Sequence, residues 1–250
     1  MQTPTRPSNL AITTALRELT WDTFAGVASF VVPGRDAHSA AQGTPRAESG
    51  ALESQVPDFL ILGIDFSMEN PDVLSRPIAA GLRSGLNKAP LGSLPVSLGD
   101  AAGVLLDEPA PVPLTDALAL LLCFLAVETD PASAYGDRFP SPFARLTAMG
   151  KGRVFAQLED PVPGLVDRIA AHAAEPLRPA LAGQLTYVGG VLLEFAAIGA
   201  YIDWQIFDPR TRTTGARPLS WDLTGFQPDG PLDGWDDLRG YYQGRRKTEA

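Results

Sequence analysis

The sequence predicts a mainly α protein: an irregular helical bundle of short and medium helices with long loops and an extended C-terminal arm. Three observations carry this prediction. Apolar residues recur at three- and four-residue steps through much of 12–207, and nothing alternates at period two for long. The chain holds 24 glycines and 23 prolines, which interrupt the helical pattern and leave long connections. Residues 208–250 follow neither period. The expected organisation is a flexible N-terminal tail at 1–11, a helical domain at 12–207 and an arm at 208–250 rich in aromatic residues, glycine and proline.

The first helix is carried by Ile12, Leu16, Leu19, Phe24, Val27, Phe30 and Val31, which share one face. Pro33-Gly34 stops it. Residues 35–50 have almost no large apolar group and read as an exposed loop. Pro57 suits the first turn of a helix that continues through Phe59, Leu60, Leu62 and Ile64. Breakers recur through 70–113, so short helices joined by loops are expected there, because such residues are rare inside sheets.

The most apolar helix starts near "PLTDALALLLCFLAVETD", with Thr115 as its N-cap after Pro113. It is apolar on all sides, which predicts a central position. "SPFARLTAMGKGRVFAQLED" predicts a helix capped by Ser141, with a stripe of Phe143, Leu146, Met149, Val154, Phe155 and Leu158. A short helix follows in "PVPGLVDRIAAHAAEPL". The segment 181–202 is almost long enough to span a bilayer. Glu194 and Gln184 lie within it, and a carboxylate at mid-bilayer is costly, so a buried hairpin or central helix is expected and no integral membrane segment.

Composition narrows the function classes. The chain has 250 residues, 45% of them hydrophobic, enough to bury a core. A net charge of −9 argues against a nucleic-acid partner, which demands clustered Lys and Arg. It argues equally against anionic membrane surfaces. A single cysteine, Cys123, excludes an internal disulfide and a cysteine-rich zinc site, and its apolar neighbours predict a buried, inert thiol. The polar start carries neither a secretory h-region nor a twin-arginine motif, which together with the lone cysteine gives a cytoplasmic expectation.

Motif searches find no GxGxxG, Walker A, HExxH or GxSxG pattern. The two histidines do not suggest a catalytic set. His38 falls in the polar loop and His172 at a helix surface or end. Asp229, Asp233, Asp236 and Asp237 lack the ligand spacing of a calcium loop. Glu194 is the remaining candidate, either as a structural carboxylate with a backbone or arginine partner or as an acid or base of raised pKa. No catalytic, cofactor-binding or metal site is assigned to this chain.

The arm is then the most informative feature. Trp221, Phe226, Trp235, Tyr241 and Tyr242 cannot all be hidden by a tail folding alone. They either pack back over the helices or lie on another protein, where such rings bury large area at little entropic cost.

Several stretches together resemble the gluconate 2-dehydrogenase subunit 3 family, small accessory subunits of flavin-dependent dehydrogenases. The opening helix is followed by Pro33, Gly34 and Asp36, and then by Gly50, Ala51, Val56, Pro57 and Phe59. Phe143, Leu146, Arg153 and Leu158 are similar to a later helix of that family, and "TGFQPDGPLDGWDDLRGYY" to its aromatic tail. Residues 70–113 match no part of it. The resemblance implies a non-catalytic small subunit that binds and stabilises a larger oxidoreductase of the glucose-methanol-choline type. That partner would hold FAD and act on a sugar, glycoside or other alcohol, and this chain would hold no cofactor. Many members carry a twin-arginine signal, and this chain departs from them there. Two other readings stand beside it: a stand-alone helical small-molecule binding protein, and an enzyme using Glu194.

Overall fold

A computed structural model describes residues 7–66, 69–202, 204, 206–208, 210, 211, 213, 214 and 219–225. The fold is mainly α, with helices of varied length joined by loops. Helix α1 spans Asn9–Val31 and is capped by Ser8, whose hydroxyl accepts from the Ala11 N–H. It thus begins inside the stretch expected to be a tail. Its end falls where Pro33-Gly34 forbids another turn.

The 35–50 stretch is where the sequence reading errs most. It contains a short helix, α2 (Ala37–Ala41), capped by Asp36, and His38, Ser39 and Gln42 are buried. Polar composition suggested exposure, but His38 and Gln42 are buried because α1 and Lys151 supply their hydrogen-bond partners, while Ser39 bonds Gly34 and Asp36 within the corner. Gly34 and Gly50 close the corner. A Cβ on Gly34 would lie 2.5 Å from the Gly50 nitrogen, so only glycine permits the approach. The residues behind the family resemblance, Pro33, Gly34, Asp36, Gly50 and Ala51, therefore meet in one structural corner. There the Ala51 N–H donates to the Val32 carbonyl.

Helix α3 (Val56–Asp65) carries Pro57 in its first turn, as the sequence predicts. The breaker-rich region forms α4 (Asp72–Leu82), a 3-10 turn at Gly85–Lys88 and α5 (Leu98–Asp107). Ser97 and Asp100 form a reciprocal cap on α5. Arg76 reaches the carbonyls of Leu106, Glu108 and Ala110 and ties the following loop to α4.

Helix α6 (Leu114–Thr129) is central, with α1, α3, α4 and α7 packed around it. Every residue from Leu114 to Ala126 is buried, Cys123 included. Its N-cap is Pro113 rather than Thr115. Thr115 lies inside the first turn and donates from its N–H and hydroxyl to Asp65, so α3 supplies the oxygen that a cap would. Helix α7 (Ala148–Glu159) starts later than expected and is capped by Thr147. Ser141 is buried upstream in a turn, where its hydroxyl accepts from the Ala144 N–H. Phe143, Leu146, Val154, Phe155 and Leu158 are buried as the stripe predicts, whereas Met149 is exposed.

Helix α8 (Pro163–Ala170) packs against α4 and α9. Helix α9 (Leu177–Tyr201) is neither a hairpin nor central; it lies on α1, α3, α7 and α8. A short antiparallel pairing of β1 (Phe207–Asp208) with β2 (Thr213–Thr214) and helix α10 (Leu219–Thr224) follow it. The described start of the expected arm is thus a hairpin and a helix, with α10 packed on α9.

Candidate functional site

Two places gather the residues that the sequence singles out, and they differ in kind. The first is the buried polar corner between α1, α2 and the 139–151 segment. His38 Nε2 lies 2.7 Å from Asp22 Oδ1, and the Ser141 N–H donates to Asp22 Oδ2 at 2.8 Å. The Thr23 hydroxyl donates to Ser141 Oγ at 2.8 Å, and Cys123 Sγ lies 3.4 Å from that oxygen. His38 is therefore fixed. A serine, a thiol, a histidine and an aspartate share this corner, yet the set is not a nucleophilic triad. Ser141 and Cys123 are fully buried, and the histidine is engaged by Asp22 rather than by either nucleophile. Burial also pushes the Cys123 thiol up, away from the reactive thiolate.

Lys151 completes the corner, and sequence reasoning missed it. Its Nζ donates to the Gly26 carbonyl at 2.9 Å and to Gln42 Oε1 at 2.7 Å, and it sits over the Phe143 ring. Burial lowers its pKa from the ordinary 10.5 to about 7, against the pull of Asp22 and Asp36. Gln42 in turn donates to the Ser29 carbonyl and to Thr44. The network staples the α2 corner to the core, a structural task.

The second place is a surface. Phe59 and Gly63 of α3 face Gly199 and Phe195 of α9, so the two helices run antiparallel. A Cβ at Gly199 would meet the Phe59 ring at 2.5 Å, so this close crossing requires glycine. Phe59 also packs near Phe195 and Trp204. Beyond this contact the apolar character continues into solvent. Leu62 of α3 and Phe66 just past its end are exposed, Phe66 at 85%. On α9, Tyr187, Ile198 and Tyr201 are exposed along one helical stripe, and Ile202 just past its end is exposed too. Next to this stripe, between α9 and residues of α3, α4 and α6, lies a groove of about 220 Å³, lined by Ile64, Leu74, Leu118, Tyr187, Val191 and Phe195 among others. Only 33% of the most apolar stretch of α9 is buried, and by length and composition alone α9 is suited to cross a bilayer.

Glu194 lies on this stripe, three residues after Val191 and four before Ile198. It is exposed, and neither a hydrogen bond nor an ion pair engages it among the described residues, so the expected structural partner is not found. His172 is exposed just past α8, as expected. Trp221 is half-buried on α10, which packs against α9. Phe226, Trp235, Tyr241 and Tyr242 lie outside the described residues, as do Asp229, Asp233, Asp236 and Asp237. The periodicity of 187, 191, 194, 198 and 201 is the signal that would have exposed the α9 face in the sequence.

Comparisons with protein-family models, with curated proteins and with solved structures give no match to this chain.

Proposed function

We propose that this chain is a non-catalytic subunit that binds and stabilises a larger FAD-dependent oxidoreductase of the glucose-methanol-choline type. The observation that supports the reading is the exposed apolar face of α3 and α9. Soluble monomers rarely leave such a surface open, and a rim of polar groups around an apolar patch is typical of a protein interface. Leu62, Phe66, Tyr187, Ile198 and Tyr201 supply the anchors. Trp221 on α10 adjoins the same helix, and residues 226–250 continue from there with Phe226, Trp235, Tyr241 and Tyr242. On this reading the face and the arm act together. The resemblance of the α1–α3 corner to an accessory-subunit family supplies the class of partner. Glu194, in the middle of the stripe, disfavours lipid as the covering medium.

The test is co-expression of a flavoprotein encoded beside this chain, with the full chain, without it, with 208–250 removed, and with Ile198→Arg. A stable interface of roughly 800 Å² on each side predicts that yield and bound flavin fall in the last three cases. Equal yield, flavin content and activity in all four reject the reading. Flotation of the purified chain with phosphatidylcholine vesicles, lost in Ile198→Arg, would assign the face to lipid instead.

A further inference from the structure

A separate cleft of about 750 Å³ lies between the first half of α1, the 91–94 turn and the 136–145 segment. It shares no lining residue with the groove beside α9. Its size is that of a small-molecule site. Leu91, Leu94, Phe139 and Pro140 give it apolar walls, and Arg145 is its one basic lining residue.

Arg145 is the unusual member. Its Nε donates to the Phe139 carbonyl at 2.8 Å, one terminal nitrogen to Ser133 at 2.8 Å and the other to Pro140 at 3.3 Å. Gly136 lies against its side chain, where a Cβ would sit 3.2 Å from Cδ and Nε. The guanidinium is therefore held in one orientation. It is half-buried, and desolvation lowers its pKa. No carboxylate lies within ion-pair distance of it among the described residues. Three carbonyl bonds satisfy three of five N–H groups and neutralise no charge. One N–H on each terminal nitrogen makes none of these bonds.

We propose that this cleft binds a small organic monocarboxylate, its two oxygens on Arg145 and its apolar body against Leu91, Leu94 and Phe139. A fixed guanidinium and a planar carboxylate match in charge and shape. Glu18 and Asp137, the acidic lining residues, are both exposed. Water screens them from the bound carboxylate. The apolar walls then favour an organic monocarboxylate over inorganic phosphate, which has no apolar body to bury.

The experiment is calorimetric titration of the full chain with benzoate, with benzyl alcohol and inorganic phosphate as comparators. Benzoate is expected to bind about tenfold or more tightly than benzyl alcohol, the margin of a charge-assisted pair, and more tightly than phosphate. Asp137→Asn should tighten benzoate severalfold by removing a like charge. Thr14→Trp, at an exposed lining position remote from the Arg145 bonds, should abolish binding while the fold persists. Arg145→Lys keeps the charge and loses the paired geometry, so binding should weaken. Failure of benzoate to bind, equal binding of benzyl alcohol, or unchanged binding in Thr14→Trp each overturns the proposal. None of these results bears on the subunit reading, because the isolated chain alone is titrated.

Discussion

Helices α6 and α9 look alike in sequence and end in opposite circumstances. Both are long apolar runs. Helix α6 buries every residue from Leu114 to Ala126, because other helices pack around it. Helix α9 buries Leu181, Leu185, Val188, Leu192, Ala196 and Ala200 at three- and four-residue steps and leaves the other side in solvent. Apolar content alone therefore does not report centrality. The position of polar residues does. In α6 they cluster at the two ends, whereas α9 carries Thr186, Tyr187 and Glu194 along its middle. A helix that tolerates a carboxylate at mid-length has at least one wet side before any partner arrives.

The largest expected difference between the two is in packing. Leu121→Ala in α6 empties a fully enclosed site and should cost about 3 kcal/mol, within the range for buried leucines. Ile198→Ala on the outer side of α9 should change stability by less than about 0.5 kcal/mol. Urea denaturation of the isolated chain measures both. A cost for Ile198→Ala near that of Leu121→Ala would mean that the α9 face is already covered in the isolated protein.

A second contrast is between two charged groups, Lys151 sealed in the core and Glu194 in water. Unfolded lysine holds its proton up to about its ordinary 10.5, while folded Lys151 releases it at about 7. Between these values the unfolded chain binds more protons, so stability rises with pH, by up to about 1.4 kcal/mol per unit. Below pH 7 both states are protonated and the slope vanishes. Cys123, whose thiol is pushed up by burial, acts in the other sense once the unfolded thiol ionises near its ordinary 9.0. The rise is therefore cleanest between pH 7 and 9, about 2 kcal/mol in total. Lys151→Met should flatten it, and Glu194→Gln should leave it intact. Unfolding free energies measured across that range decide the matter.

What was legible follows the same division. Helices set by a local proline or glycine and by their own periodicity, α1 and α3 for instance, could be read because the causes are local. The breaker-rich connections of 70–113 were legible for the same reason. The α2 corner was not, because its order depends on partners far along the chain. Gln42 is buried by Lys151, and His38 by Asp22 and the Phe139 ring. Nothing within 35–50 announces those partners. Thr115 misled similarly, since Asp65 takes the place of a local cap. For the site, the sequence pointed to the aromatic residues beyond 208, of which only Trp221 lies among the described residues. The apolar stripe of α9 is masked in the sequence by the high hydropathy of the whole segment, and only its periodicity separates the covered side from the open one.

The smallest effect sharpens the comparison within α9 itself. Gly199 is pressed against the Phe59 ring, so Gly199→Ala must displace the ring and should destabilise by about 1–2 kcal/mol. Gly190 occupies the exposed side of the same helix, where an added Cβ would meet nothing within 4 Å. Gly190→Ala removes backbone freedom from the unfolded chain and adds a better helix former. It should therefore stabilise by about 0.5–1 kcal/mol, seen as a raised thermal midpoint. The two substitutions are chemically identical and differ only in what faces them. Gly190 also falls on the stripe between Tyr187 and Glu194, the surface we propose for the flavoprotein. If the partner's backbone approaches α9 closely there, Gly190→Ala will stabilise the isolated chain and yet reduce the flavoprotein recovered on co-purification. If recovery is unchanged, the contact at that position is made by side chains with room for a methyl group.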